Sequence, residues 1–256
     1  MIQRCKLSKA DFGGEPLEGH RKDLKRNNDL LQLTRPDVIR EIYEQYLEAG
    51  AGLVETNAFG ATSAAQDAHH EQASGVLEDD CDLFLVETIF DTLSAKAAIF
   101  ALDELIEATG ERLPVIVCGS VTDASGRIFS SQTVSAFWHS VRHAKPLAVG
   151  LNGALGATLM RPYIEALTCV AGSTFVSCYP NAGLPNPISE TGFDETPEIA
   201  VSLLAEFAKA GFLNIAGGCC DTTPAQIAAI AQKVGKHRPR CGHNGAWFGA
   251  LAPEAT

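Results

Sequence analysis

Two glycines precede two adjacent cysteines in Gly217-Gly218-Cys219-Cys220-Asp221-Thr222-Thr223-Pro224. Successive side chains on a regular strand point to opposite faces, so neighbouring cysteines can share a ligand only where the backbone leaves strand geometry. The glycines supply that freedom. Thiolates are strong zinc ligands, and three protein ligands with one open position is the usual catalytic design. The competing reading is that both thiols are small buried hydrophobes. Polar residues also follow short apolar runs at Glu55-Thr56-Asn57, Glu87-Thr88, Thr122-Asp123, Asn152 and Tyr179-Pro180-Asn181. Glu87 stands out as a carboxylate at a strand end, a place that also suits a helix N-terminal carboxylate favoured by the dipole. Asn57, Asp123, Asn152 and Asn181 either orient a ligand or stabilise a turn. Asp91 reads as a helix cap. His139 and His143 stand at metal-binding helical spacing but lack a third partner, and Cys118 and Cys178, near inferred strand ends, are either further ligands or core packing.

Such residues act together only if regular elements bring them to one place. Apolar, β-branched runs recur at Leu53-Val54, Leu83–Val86, Val115–Val117, Leu147–Val149, Thr174–Val176 and Phe212–Ile215. Their spacing of about 30 residues is that of one strand–helix unit. Between them, Val38, Ile39, Ile42, Tyr43, Tyr46 and Leu47 form a helical stripe with Thr34 as N-cap and Gly50 past the end. Leu93, Ala97, Phe100, Ala101 and Leu105 form a second stripe. Thr223-Pro224-Ala225-Gln226 reads as cap, first-position proline and capping-box glutamine.

Alternating strands and helices imply an α/β fold with a parallel sheet. Periodicity alone does not choose between an open doubly wound sheet and a closed barrel. Polar residues at the ends of nearly every strand converge only if the sheet closes, so the expectation is a TIM-type (β/α)8 barrel. Six strands are readable where eight are needed, so the barrel is expected to be incomplete. The expected division is an N-terminal segment (1–33) packed on a barrel (34–235), followed by an irregular tail (236–256).

Composition narrows the setting. The 256 residues are 46% hydrophobic and 20% charged, which suits one globular domain. A formal charge of −11 disfavours nucleic acid as a partner. No apolar run approaches the roughly 20 residues of a membrane span, and Met1 to Lys9 has no signal-peptide core. Eight cysteines in such a chain point to reduced thiols or metal ligands, and so to the cytoplasm.

Several segments, in order, resemble the homocysteine S-methyltransferase family, and most of all the homocysteine-binding domain of cobalamin-dependent methionine synthases. They are Asp23-Leu24-Lys25-Arg26-Asn27-Asn28-Asp29, Glu55-Thr56-Asn57-Ala58-Phe59 and Val86-Glu87-Thr88-Ile89-Phe90-Asp91-Thr92-Leu93. Thr122-Asp123-Ala124-Ser125-Gly126-Arg127, Gly150-Leu151-Asn152, Tyr179-Pro180-Asn181-Ala182-Gly183-Leu184-Pro185 and the Gly-Gly-Cys-Cys segment complete the set.

The resemblance implies a zinc-dependent transfer of a methyl group to homocysteine, giving methionine. It assigns zinc to Cys219 and Cys220, the substrate amino group to Glu87, and catalytic or binding roles to Asn152, Asn181, Asn57 and Asp123. The metal would hold the substrate sulfur as a thiolate at neutral pH. A methyl-donor domain or protein is implied, and methylcobalamin would arrive only through it, because the chain has no Asp-x-His-x-x-Gly motif.

The chain departs from the family at the first zinc cysteine, whose place is taken by Gly153, so a weakened zinc site is expected. Two family strands also have no counterpart, one expected before Met1 and one between Asn57 and Asp82. Three functional classes therefore stand: a methyltransferase, a non-catalytic remnant, and a module that binds a thiol amino acid without methylating it.

Overall fold

The computed structural model describes residues 1–14, 28–55, 73–75, 77, 81–122, 126–128, 130–181, 195–220 and 222–241. Among them, β1 (Phe84–Ile89), β2 (Val115–Gly119), β3 (Ala148–Gly156), β4 (Phe175–Asn181) and β5 (Ile215–Ala216) form one sheet in the order β1-β2-β3-β4-β5. Every neighbouring pair is parallel. Right-handed crossovers between strands laid down in sequential order place all the connecting helices on one face of the sheet. A doubly wound sheet would need a reversal of strand order, and none occurs here. The sequential parallel order is consistent with a βα barrel, but among the described residues the sheet is not closed.

The helical layer consists of α4 (Thr92–Thr109), α5 (Val134–Val141), α6 (Ala157–Val170), α7 (Pro197–Lys209) and α8 (Pro224–Val234). They are preceded by α1 (Lys9–Gly13), α2 (Leu31–Thr34) and α3 (Pro36–Glu48). Because side chains alternate across a strand, the sheet has two distinct apolar layers. Val117, Val149, Leu151, Val176 and Cys178 meet Phe137, Val141, Met160, Ile164, Leu167, Leu204 and Phe207 of the helices. Ile116, Cys118, Ala148 and Tyr179 form the opposite layer, with Leu83, Leu85, Phe175, Ile215 and Cys219 packed against it. Each large side chain buried in this way contributes about 1.5–3 kcal/mol.

Five strands form where six apolar runs were read. Leu53-Val54 is the exception: it joins no strand, and Leu53 is 51% exposed. Two apolar residues between Gly52 and Glu55, with no ladder partner, do not sustain a strand. The chain nevertheless returns toward the sheet there, because α3 lies beside α8. The Tyr46 hydroxyl donates to the Thr222 carbonyl at 2.7 Å.

Two further expectations are corrected. Thr34 does not cap α3; it ends α2 and donates to the Leu30 carbonyl, while Pro36 at the first helical position starts α3. In α4 the expected Ala101 and Leu105 are buried, but the rest of the buried stripe is Ala95, Ala98, Ile99 and Leu102, leaving Leu93 and Phe100 73% and 50% exposed. Small alanines set that phase because they let the helix approach the sheet closely. The caps at Asp91 and Thr223 form as read, and the Thr223–Gln226 pair makes a complete capping box.

One buried carboxylate secures the junction that carries the site. Glu195, 9% exposed, accepts from the amides of Ala157 and Thr158 at 3.0 Å each, at the start of α6. It therefore satisfies two orphan donors and complements the helix dipole directly after β3. Replacing Glu195 by Ala should lower the unfolding free energy by about 2 kcal/mol, read by urea denaturation. A loss below about 0.5 kcal/mol, the range of ordinary surface changes, would contradict this role.

Candidate functional site

A polar layer caps the inner apolar layer at the C-terminal ends of the strands. Glu87 of β1, Ser120 just past β2, Asn152 of β3, Tyr179 and Asn181 of β4, and Cys219 past β5 all belong to it. Below them, Leu85, Ile116, Ala148 and Phe175 lie in paired register.

Asn152 is fully buried and joins three strand ends. Its Nδ2 donates to Glu87 Oε2 at 3.3 Å and to Thr88 Oγ1 at 2.9 Å, while its Oδ1 accepts from the Thr88 amide at 3.1 Å. Ser120 Oγ donates to the Asn152 carbonyl at 2.9 Å. Thr88 has φ 54°, a left-handed conformation that costs a β-branched residue roughly 1–2 kcal/mol. The β1–β2 register shifts at this point, between Val86 and Ile89. The two Asn152 bonds hold the strained turn, and the bulge aims Glu87 inward, as bulges beside functional sites commonly do.

The cysteine pair is fixed by β4. The Cys219 amide donates to the Pro180 carbonyl and the Cys220 amide to Asn181 Oδ1, each at 3.1 Å. Cys219 is half-buried and Cys220 exposed. Hydrogen bonding with the Cys220 thiol, reinforced by burial and by the charges of Cys220 and Glu87, pushes the Cys219 thiol far above its ordinary range. Cys219 therefore senses both the Cys220 thiol and the Glu87 carboxylate.

Gly153 stands opposite them. It has φ 58°, and a Cβ built there would lie 3.6 Å from Cys219 Sγ and 3.9 Å from Asn181 Oδ1, which is ordinary contact. The position therefore points at the thiol pair but brings no sulfur to it. Among the described residues, no group of three His, Cys, Asp or Glu could hold a metal ion. Two thiols do not make the three-ligand catalytic site, so the described residues by themselves do not fit a catalytic zinc.

Glu55 reaches the same place. The residue is exposed as a whole, but its carboxyl loses water and lies by Glu87, so desolvation and then the like charge of Glu87 push it up to about 7. Burial also raises Glu87, opposed by the Tyr179 hydroxyl and Glu55.

The remaining candidates divide cleanly. Asn57 and Asp123 lie outside the described residues. Cys178 points into the helical side of the sheet, 3.4 Å from Met160 Sδ, and cannot reach the pair. Cys118 is on the inner face but fully buried beside Ser177 Oγ at 3.2 Å, and burial pushes its thiol up to about 12. His139 bonds its own helix at the Ser135 carbonyl, 2.7 Å away, in the outer layer. Sequence reasoning missed Ser120, and it named Thr88, Tyr179 and Glu55 only as members of polar runs, without a role in the site. Counting by twos along Ile116, Cys118 and Ser120 would have found the first.

A family model described as homocysteine S-methyltransferase matches residues 1–68 and 61–234. The two stretches overlap at residues 61–68, so the family pattern is met in two pieces.

Two measurements follow from this geometry. The Glu55 carboxyl is raised from 4.5 to about 7, so its protonated form favours the fold. That contribution is complete below pH 4.5 and is lost as pH rises through about 7. Glu55→Gln should therefore match wild type in acid and become the more stable protein as pH rises through that window. A stability difference that is constant across pH would count against it. Separately, Gly153→Cys should take up about one zinc per chain where wild type retains little after chelation, at a folding cost of about 1 kcal/mol for the left-handed backbone. Stoichiometric, chelator-resistant zinc in wild type would overturn the reading of Gly153.

Proposed function

The chain belongs to the homocysteine S-methyltransferase family, and from that premise we propose that it presents homocysteine for S-methylation, with methionine as product. One observation carries the reading: an aimed carboxylate, Glu87, and a pair of thiols, Cys219 and Cys220, share one face at the strand ends. Homocysteine carries an ammonium group at one end and a sulfur at the other, so its two ends match the two parts of the site.

Glu87 takes the ammonium group in a charge-assisted bond. Asn152 keeps the carboxylate in place, and Asn181 keeps the cysteine turn beside the substrate sulfur. In the transfer the homocysteine sulfur forms a bond to the methyl carbon while the bond from that carbon to its carrier breaks. The thiol proton leaves to solvent. Asn57 and Asp123 are further binding residues in this proposal.

The methyl carrier is a second domain or protein, and methylcobalamin belongs to that partner. Zinc dependence would require a third ligand in addition to Cys219 and Cys220. Eight cysteines with no disulfide among them support a reducing, cytoplasmic setting. No helix among the described residues is long and apolar enough to cross a membrane.

Gly153 favours a second reading, in which the site captures the thiol amino acid without turnover. Calorimetry and a methylation assay with methylcobalamin as donor separate the two. Wild type should bind homocysteine, and Glu87→Gln should lose at least about tenfold in affinity. Binding without methionine formation selects the second reading. Absence of homocysteine binding in wild type would remove both.

A further inference from the structure

Tyr179 is 8% exposed, and its hydroxyl oxygen is buried without a hydrogen-bond partner among the described residues. Burying a hydroxyl unpaired costs free energy that a phenylalanine would not incur. The ring sits on the inner face of the sheet, and the ionisable groups that act on its hydroxyl are Cys118, Glu87 and Glu55. Cys118 is already engaged with Ser177 Oγ at 3.2 Å, and Glu87 Oε2 accepts from Asn152 at 3.3 Å. No described group is a hydrogen-bond partner of the hydroxyl, while Glu87 and Cys118 are near enough to act on it, so its oxygen keeps a free lone pair at the place where the proposed function puts the ammonium group of the ligand.

An α-ammonium group has three N–H donors, and sequestering it from water calls for three acceptors. Glu87 Oε2 is taken up by Asn152 and the Glu55 and Glu87 carboxyls are turned to each other, so each carboxyl offers the ligand one oxygen, which makes two. We propose that the Tyr179 hydroxyl oxygen is the third acceptor, a substrate-contacting group that makes the site selective for thiols carrying an unsubstituted α-amino group. This inference rests on the homocysteine-binding reading above and extends it to a residue and a specificity.

The test is calorimetric titration of wild type and Tyr179→Phe with homocysteine and with 4-sulfanylbutanoate, which lacks the amino group. Thermal melting of both unliganded proteins accompanies it. Tyr179→Phe should lose about tenfold in homocysteine affinity, keep its affinity for 4-sulfanylbutanoate, and melt no lower than wild type. Equal losses for both ligands, no loss for homocysteine, or a lower melting temperature would each overturn the proposal, since each assigns the hydroxyl to the fold. If wild type binds no homocysteine at all, the reading of the site fails, and the inference with it.

Discussion

The side-chain amide of Asn152 is the contact on which the rest of the site depends. It is fully buried, so its donors and acceptor must find protein partners. They find them on a different strand: Glu87 and Thr88 of β1, with Ser120 closing over the Asn152 main chain. An apolar residue at 152 would leave Thr88 in a left-handed turn without support and Glu87 without a fixed direction. The end of β3 is braced in turn, because Glu195 anchors the start of α6 directly after Gly156. Thr88 and Ala154 take left-handed backbone, and Gly153 takes it without strain, where β1 and β3 leave regular pairing. The site is thus a set of bulged strand ends held by buried polar side chains.

The sheet explains why that set lies where it does. Sequential parallel strands send every helix to one face and leave the other face to an inner layer of Leu85, Ile116, Ala148 and Phe175. Apart from Ser177, which is paired with Cys118, the polar side chains named on that face lie at its end, where water and ligand reach them. Glu55 arrives from outside the sheet because α3 rests against α8 and returns the chain to the strand ends. Two carboxyl groups and two thiols then share a small space: burial raises Glu87, burial and the like charge of Glu87 raise Glu55, and the Cys220 hydrogen bond with burial raises Cys219. A cationic ligand relieves the like-charge repulsion.

Much of this was legible in the sequence, for identifiable reasons. The runs that became β1 to β5 are strongly apolar, and the Asp91 and Thr223 caps rest on local hydrogen bonds, so neighbouring residues sufficed to read them. Glu87, Asn152 and the cysteine pair stood out because polar residues directly after buried strands have few purely structural uses. Leu53-Val54 misled because pairing is a property of the neighbour and not of the run. The buried phase of α4 depended on which alanines meet the sheet, a tertiary fact. Glu195 and Arg240 were invisible for the same reason. The Arg240 guanidinium, 6% exposed, donates to the carbonyls of Thr168, Gly172 and Thr174, and no local pattern announces partners 66 to 72 residues away.

Gly153 is the position that the sequence resemblance gives to a third cysteine. Its backbone still points at Cys219, so the architecture of a thiol site persists where the third sulfur does not. Ligand orientation therefore falls to Glu87 and the groups that hold it, and a structure of the protein with homocysteine bound tests that most directly. The expected result is the amino nitrogen within about 3 Å of the Glu87 carboxylate and the sulfur beside Cys219 and Cys220. Homocysteine bound in the reverse orientation, or away from these strand ends, would contradict it.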